Sequence, residues 1–288
     1  MSIEISNCGI IGQGFVGSAM KKSLEKKVKV ETYDIKVPST CKSLEEIVNL
    51  CDILFICLPT PMNNNGSCNI DILEQTLFQL SCNENIDYVN KYFVIKSTVP
   101  VGTCLYFQNK FKNLNIVFNP EFLTEANSYE DFKNQNRIIL GGEEKNLKVI
   151  KIFYRIFFKN IPIIFTNFET AELCKYVINT FLAMKVSFAN EIFEFCKSTS
   201  VNYSELIRIA THDNRLGDSH WQVPGPDGNR GYGGSCLPKD ISSLIYQFEE
   251  KNIKSYILKA SQSRNTNIDR DEQDWLELEG RAVVSQDT

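Results

Sequence analysis

Two periodicities divide the chain near Phe168. Before it, short apolar runs alternate with amphipathic stretches. Residues 3–11, 28–33 and 52–58 read as strands, the last apolar on both faces as in a covered parallel sheet; further strands are predicted at 92–96, 116–118, 137–141 and 161–165. Helices are predicted over 18–27, 43–50, from Asp71 onward, and over 144–158. This alternation predicts an α/β domain over 1–168 with a doubly wound parallel sheet. From Thr170 to Lys197 there is no Gly or Pro, and Leu173, Val177, Phe181, Met184, Phe188, Ile192 and Phe195 recur at helical spacing. Such a helix is roughly 40 Å long at 1.5 Å per residue. It predicts an all-α domain over 169–265, with a helix at 203–210, a Gly/Pro-rich loop at 211–234 and helical chain from Lys239 to Asn267. Residues 266–288 read as an acidic tail anchored by Trp275, with no chemistry assigned.

Composition narrows the classes of function. A length of 288 residues suffices for two cores, and 43% hydrophobic with 23% charged residues is that of an ordinary globular protein. A net charge of −4 gives no electrostatic reason to bind nucleic acid or an anionic membrane surface. No apolar run approaches the roughly 20 residues that span a bilayer. The N-terminus runs straight into a strand-like pattern without a basic leader, which reads as a mature start. Of ten cysteines, Cys8, Cys51, Cys57, Cys174 and Cys196 lie inside apolar patterns, and no C-x-x-C pair occurs. The only histidines are His212 and His220, so no metal site is predicted. The cysteine usage points to a reducing, cytoplasmic compartment.

Three clusters carry candidate chemistry. Gly12-Gln13-Gly14-Phe15-Val16-Gly17 falls between a predicted strand and helix, the context in which G-x-G-x-x-G holds a dinucleotide pyrophosphate at a helix N-terminus. Asp34 ends the second strand, 17 residues after Gly17. An acid there accepts hydrogen bonds from ribose hydroxyls and repels a 2′-phosphate, favouring NAD over NADP. In this Rossmann-like arrangement ligands gather at the carboxyl ends of strands, where Thr60, Thr98, Glu121 and Glu125 fall. The third cluster is Gly231-Tyr232-Gly233-Gly234-Ser235-Cys236-Leu237-Pro238-Lys239-Asp240. Its glycines allow a tight bend and close approach to a ligand, and Cys236 stands at a helix start beside Lys239, where a thiol has a lowered pKa and is a useful nucleophile. Taken alone, the decapeptide is equally a Gly-rich surface turn around an inert cysteine. Lys175 and Asn179 share a helix face offset from the apolar stripe, and taken alone they read as a solvated pair.

Together these stretches resemble the UDP-glucose/GDP-mannose dehydrogenase family. The matching segments are Gly12–Gly17, Pro59-Thr60-Pro61, Ser97–Thr103, Asn119–Glu125, Glu172–Asn179 and Gly233–Asp240, in the family's order over about residues 3–265. The resemblance implies NAD-dependent oxidation of a nucleotide sugar, UDP-glucose to UDP-glucuronate, by two hydride transfers at one site. It implies Cys236 as the nucleophile that holds the aldehyde as a thiohemiacetal and then a thioester, and Lys175 with Asn179 as donors to the substrate oxygen. It further implies Asp240 as the residue that positions or activates water, and Thr98 and Glu125 as orienting the hydrolytic water. Cofactor contacts are implied for Gly12, Gly14, Phe15, Val16, Gly17, Asp34, Thr60, Thr98 and Glu125. Substrate contacts are implied for Glu121, Phe122, Leu123, Lys175, Asn179, Tyr232 and Gly233, and for Arg215 reaching across a homodimer interface. The family's third, C-terminal domain, which holds much of the nucleotide, has no counterpart in this sequence. Another nucleotide sugar (GDP-mannose or a UDP-N-acetylhexosamine) is an alternative substrate. A two-domain β-hydroxyacid dehydrogenase, which also has a Lys-x-x-x-Asn pair, is the alternative enzyme, and an NAD-binding remnant or regulatory subunit the non-enzymatic one.

Overall fold

The computed structural model describes residues 7–83 and 86–285, so residues 3–6 of the first predicted strand lie outside the described residues. The chain divides into two compact units. The first comprises Met1–Thr60 with Ile70–Lys175, and the second Pro61–Asn69 with Tyr176–Thr288. The division falls seven residues beyond the boundary read from the sequence, because the long helix begins before the change of unit.

In the first unit, β1 (Asn7–Ile11), β2 (Lys29–Tyr33), β3 (Ile53–Ile56), β4 (Tyr92–Ile95), β5 (Asn115–Phe118), β6 (Ile138–Gly142) and β7 (Ile163–Thr166) form one sheet in the order β2-β1-β3-β4-β5-β6-β7. All four residues of β3 are buried. That is the consequence of apolar layers on both sheet faces, one around Leu54, Phe93 and Phe107, the other around Phe55, Val117 and Phe153. The helices are α1 (Phe15–Leu24), α2 (Leu44–Leu50), α3 (Asp71–Ser81), α4 (Thr103–Lys110), α5 (Ser128–Lys133) and α6 (Glu144–Phe157).

The expected all-parallel sheet has one antiparallel junction, between β5 and β6, while β6 and β7 are parallel to each other. The connecting helix α5 has six residues. Asn119 fastens this junction: its amide donates to the Ile139 carbonyl at 2.8 Å, and its oxygen accepts from Lys96 Nζ at 2.9 Å and from the Tyr154 hydroxyl.

The second unit is built on most of α7 (Phe168–Ser198), with α8 (Tyr203–Ala210), α9 (Leu237–Glu250) and α10 (Tyr256–Arg264), around Tyr176, Ala183, Tyr232, Ile241 and Leu244. The apolar stripe of α7 is not its buried face. Val177, Phe181, Phe188 and Phe195 are each more than half exposed. Inside lie Tyr176, Asn179, Thr180, Ala183, Ser187 and Asn190, whose polar groups have partners: Tyr176 with Ser243, Ser187 with Ser261, and Asn190 with the Val186 carbonyl. Burial of these groups is tolerated because each is hydrogen-bonded.

Residues 266–285 are packed rather than trailing. Trp275 and Arg270 are buried, and Met62 exchanges backbone hydrogen bonds with Ala282 and Val284. Acidic residues of this segment serve as partners for arginines, Asp269 for the partly exposed Arg230 and Asp274 for the buried Arg270.

Burial draws the Lys96 ammonium down to about 8, against raising influences from Cys57 and Glu121. Between that value and the ordinary 10.5 the unfolded chain binds the extra proton, so this group's contribution to stability rises with pH there and is flat below. Comparing denaturant unfolding of the wild type and Lys96→Met at pH 7.5 and pH 10, the stability difference should move by about 2 kcal/mol in favour of the wild type at the higher pH.

Candidate active site

The Gly-rich turn after β1 has the steric demands of a phosphate loop. Gly12 has φ +93°, and a Cβ there would lie 2.5 Å from the Cys57 carbonyl oxygen. A Cβ on Gly17 would lie 2.0 Å from the Gly12 oxygen, so the first turn of α1 rests directly on the strand end. Gly14 has no atom within 4 Å of the corresponding position. The first and third glycines are therefore demanded by packing, and the second leaves open space at the N-terminus of α1, as a pyrophosphate requires. Phe15 and Val16 open the helix itself. Asp34 follows β2, and its carboxylate accepts from the backbone N–H groups of Gln13 at 2.6 Å and Lys36 at 2.7 Å. It stands beside the phosphate loop where a ribose would lie, so the residues present fit NAD.

The other strand-end residues of the first unit are brought to one side of the sheet by parallel register. Thr60 Oγ1 donates to the Thr98 carbonyl at 2.7 Å, both residues being buried. Glu121 is buried and accepts Lys175 Nζ at 2.9 Å through its carboxylate and at 2.7 Å through its carbonyl. Phe122 presents its ring 5.5 Å from that ammonium, and Leu123 donates its N–H back to the Glu121 carboxylate. Glu125 is exposed in the turn before α5. Lys175 is thus not a solvated lysine: a buried cation held by a carboxylate, a carbonyl and an aromatic face is a pre-set charge.

In the second unit, Cys236 caps α9, with Pro238 in the first turn. Asp240, 1% exposed, accepts Asn179 Nδ2 at 2.6 Å on one oxygen and Lys239 Nζ at 2.5 Å on the other. Burial opposes the charge on Lys239, but Asp240 and Cys236 outweigh it and hold the ammonium protonated well above its usual range. A thiolate at Cys236 would therefore face both a helix N-terminus and a fixed cation. Tyr232 lies in the core of the unit and Gly233 is backed by Arg270, so what these two can offer a ligand is backbone. Arg215 is exposed and paired with Asp213 of its own chain.

Sequence reasoning missed several supporting residues. Glu172, fully buried, accepts the backbone N–H of Gly102 at 2.6 Å and of Cys104 at 2.7 Å, so it caps α4 from α7. A glutamate within an apolar helical stretch was the available signal. Asn265 and Arg270, which contact the glycines before Cys236, fall in chain read as helix end and tail. Nothing in their spacing reveals that contact. Among the described residues, no group of three or more His, Cys, Asp or Glu is placed to hold a metal, and no helix is long and apolar enough to cross a membrane.

Comparison with known proteins accords with this arrangement. Residues 20–159 match the NAD binding domain of the UDP-glucose/GDP-mannose dehydrogenase family, and residues 169–267 match its central domain. A UDP-glucose 6-dehydrogenase of Rickettsia prowazekii is 35% identical over 215 residues, covering 73% of this chain and 48% of that protein. A UDP-glucose dehydrogenase structure from Pyrobaculum islandicum superposes with a TM-score of 0.80 at 25% identity, over 92% of this chain and 68% of the other. A 3-hydroxyisobutyrate dehydrogenase of Mycobacterium tuberculosis shares the fold, with a TM-score of 0.71 at 13% identity over 97% and 96% of the two chains. The chain spans about half the length of the curated relatives it matches. With both domain matches in order and a relative 35% identical over 73% of this chain's length, the chain belongs to the UDP-glucose/GDP-mannose dehydrogenase family and carries its NAD-binding and central domains.

Proposed function

We propose that the protein oxidises the primary alcohol of a nucleotide sugar to the carboxylate, UDP-glucose being the first candidate. The single observation that carries the reading is Cys236 at the start of α9 with Lys239 and the Asn179–Asp240 pair fixed beneath it. NAD supplies the hydride acceptor, once for the alcohol and once for the aldehyde stage. Lys175 and Asn179 donate to the substrate oxygen as charge develops on it. The Cys236 sulfur adds to the aldehyde carbon, and the oxygen takes a proton, giving a thiohemiacetal. Loss of a second hydride and a proton leaves a thioester. Water then adds and the sulfur departs as thiol, releasing the acid. Thr98 and Glu125 orient that water. Asp240, buried and already accepting two hydrogen bonds, bears on the water through the groups it holds, Asn179 and Lys239. Glu121, Phe122, Leu123, Tyr232 and Gly233 contact substrate, the last two through their backbone.

The exposed apolar side chains of α7 support a homodimer, in which Arg215 serves the partner subunit. A run of four large apolar residues along one helix face is the kind of surface that a second copy covers. The ten free cysteines support a reducing, cytoplasmic setting.

The likeness to 3-hydroxyisobutyrate dehydrogenase over nearly the whole of both chains favours a second reading, a single oxidation of a small hydroxy acid. That chemistry has no use for a thiol. Cys236→Ala should lower net turnover of the sugar nucleotide by at least about a thousandfold while leaving NAD binding unchanged by calorimetry. Turnover within a few fold of wild type would remove the thiol from the reaction and favour the second reading. For the dimer, Phe181→Asp should yield a monomer in sedimentation velocity at micromolar concentration, since a charge on a buried apolar contact has no partner.

A further inference from the structure

The glycines before Cys236 press against protein. A Cβ on Gly233 would lie 2.3 Å from Cζ of Arg270 and 2.6 Å from both its Nε and Nη2. A Cβ on Gly231 would lie 2.3 Å from Oδ1 of Asn265. Between them Tyr232 is held on both backbone groups: its N–H donates to Asn265 Oδ1 at 2.7 Å, and its carbonyl accepts Asn265 Nδ2 at 2.9 Å. Asn265 is fully buried. Of the three glycines only Gly234, with φ +72°, has open space where a side chain would stand.

The Arg270 guanidinium is 3% exposed, and all of its nitrogens are engaged. Nε and Nη2 form a fork with the Asp274 carboxylate at 2.7 and 2.5 Å, and Nη1 reaches Asp227 at 2.6 Å. Asp227 belongs to the turn closed by the Gly225–Asn229 hydrogen bond, on the same loop as Gly233. Arg270 thus grips the loop twice, by charge at Asp227 and by contact at Gly233. Cys236 follows Gly233 by three residues. A planar fork is needed to serve Asp274, Asp227 and the flat face of the loop at once, and a lysine ammonium cannot do so.

We propose that Arg270 is a positioning residue for the thiol: with Asn265 it forms the bed on which Gly231–Gly233 lies, and so sets where Cys236 stands at the head of α9. The inference rests on the reading of Cys236 as nucleophile, yet it can be tested without turnover. Gly233 is a glycine, on this account, because Arg270 occupies the space of its side chain.

The decisive experiment is a double-mutant cycle on the full chain. Gly233→Ala should cost about a hundredfold in kcat, whereas in an Arg270→Ala background the same change should cost less than about threefold. Effects that simply multiply would overturn the proposal. Should Arg270→Ala fail to fold, Arg270→Lys and Asp274→Asn supply the test. Each should lower kcat about tenfold with KM for NAD unchanged, and should raise the pH midpoint of Cys236 alkylation by iodoacetamide, read by peptide mass spectrometry, by about one unit. An unchanged alkylation profile and kcat in folded variants would defeat the clamp alone. Full turnover by Cys236→Ala would defeat the nucleophile reading alone, with the alkylation profile still deciding the clamp.

Discussion

The carboxylate of Asp240 is the interaction on which the helical unit depends. It is nearly inaccessible to water, and an ionised carboxylate in that position is stable only with partners for its charge. Asn179 on α7 supplies one and Lys239 on its own helix the other. The three groups therefore fix the first turn of α9 against α7 and place a protonated lysine beside the residue that caps α9. A thiol, a helix N-terminus and a fixed cation are thus held together by a single buried charge.

The same logic runs through α7. Its inward face is small and polar, and each polar group meets a named partner: Glu172 takes two backbone N–H groups of the α4 turn, Lys175 meets Glu121, Tyr176 meets Ser243, and Asn179 meets Asp240. Hydrophobic burial alone would have turned the helix the other way. Specific hydrogen bonds instead fix its rotation, leaving the apolar stripe outward.

Much of this was legible in the sequence. Gly12, Gly14 and Gly17 could be assigned because their spacing sits between strand and helix, and the structure assigns each the steric role that pattern implies. Cys236 and Pro238 marked a helix start, and α9 begins there. The strand-end positions of Thr60, Thr98 and Glu121 followed from alternation alone. What could not be read was rotation and return. Periodicity shows that α7 has an apolar stripe without showing which way it faces. A six-residue α5 gave no signal that β6 would run antiparallel. Arg270 and Asn265 lie over thirty residues from the glycines they touch, and no local pattern encodes such a contact. The acidic residues beyond Asn267 looked like a solvated tail because charge density was visible and their arginine partners, Arg230 and Arg270, were not.

In the proposed reaction one thiol carries the substrate through two oxidations. The most direct measurement is the amount of NADH formed per UDP-glucose consumed, using purified protein with excess NAD and identifying the product by mass spectrometry. Two NADH per sugar nucleotide, with the acid as product and no free aldehyde, is the result the account predicts. One NADH per substrate, with free aldehyde or a singly oxidised small hydroxy acid as product, would contradict it.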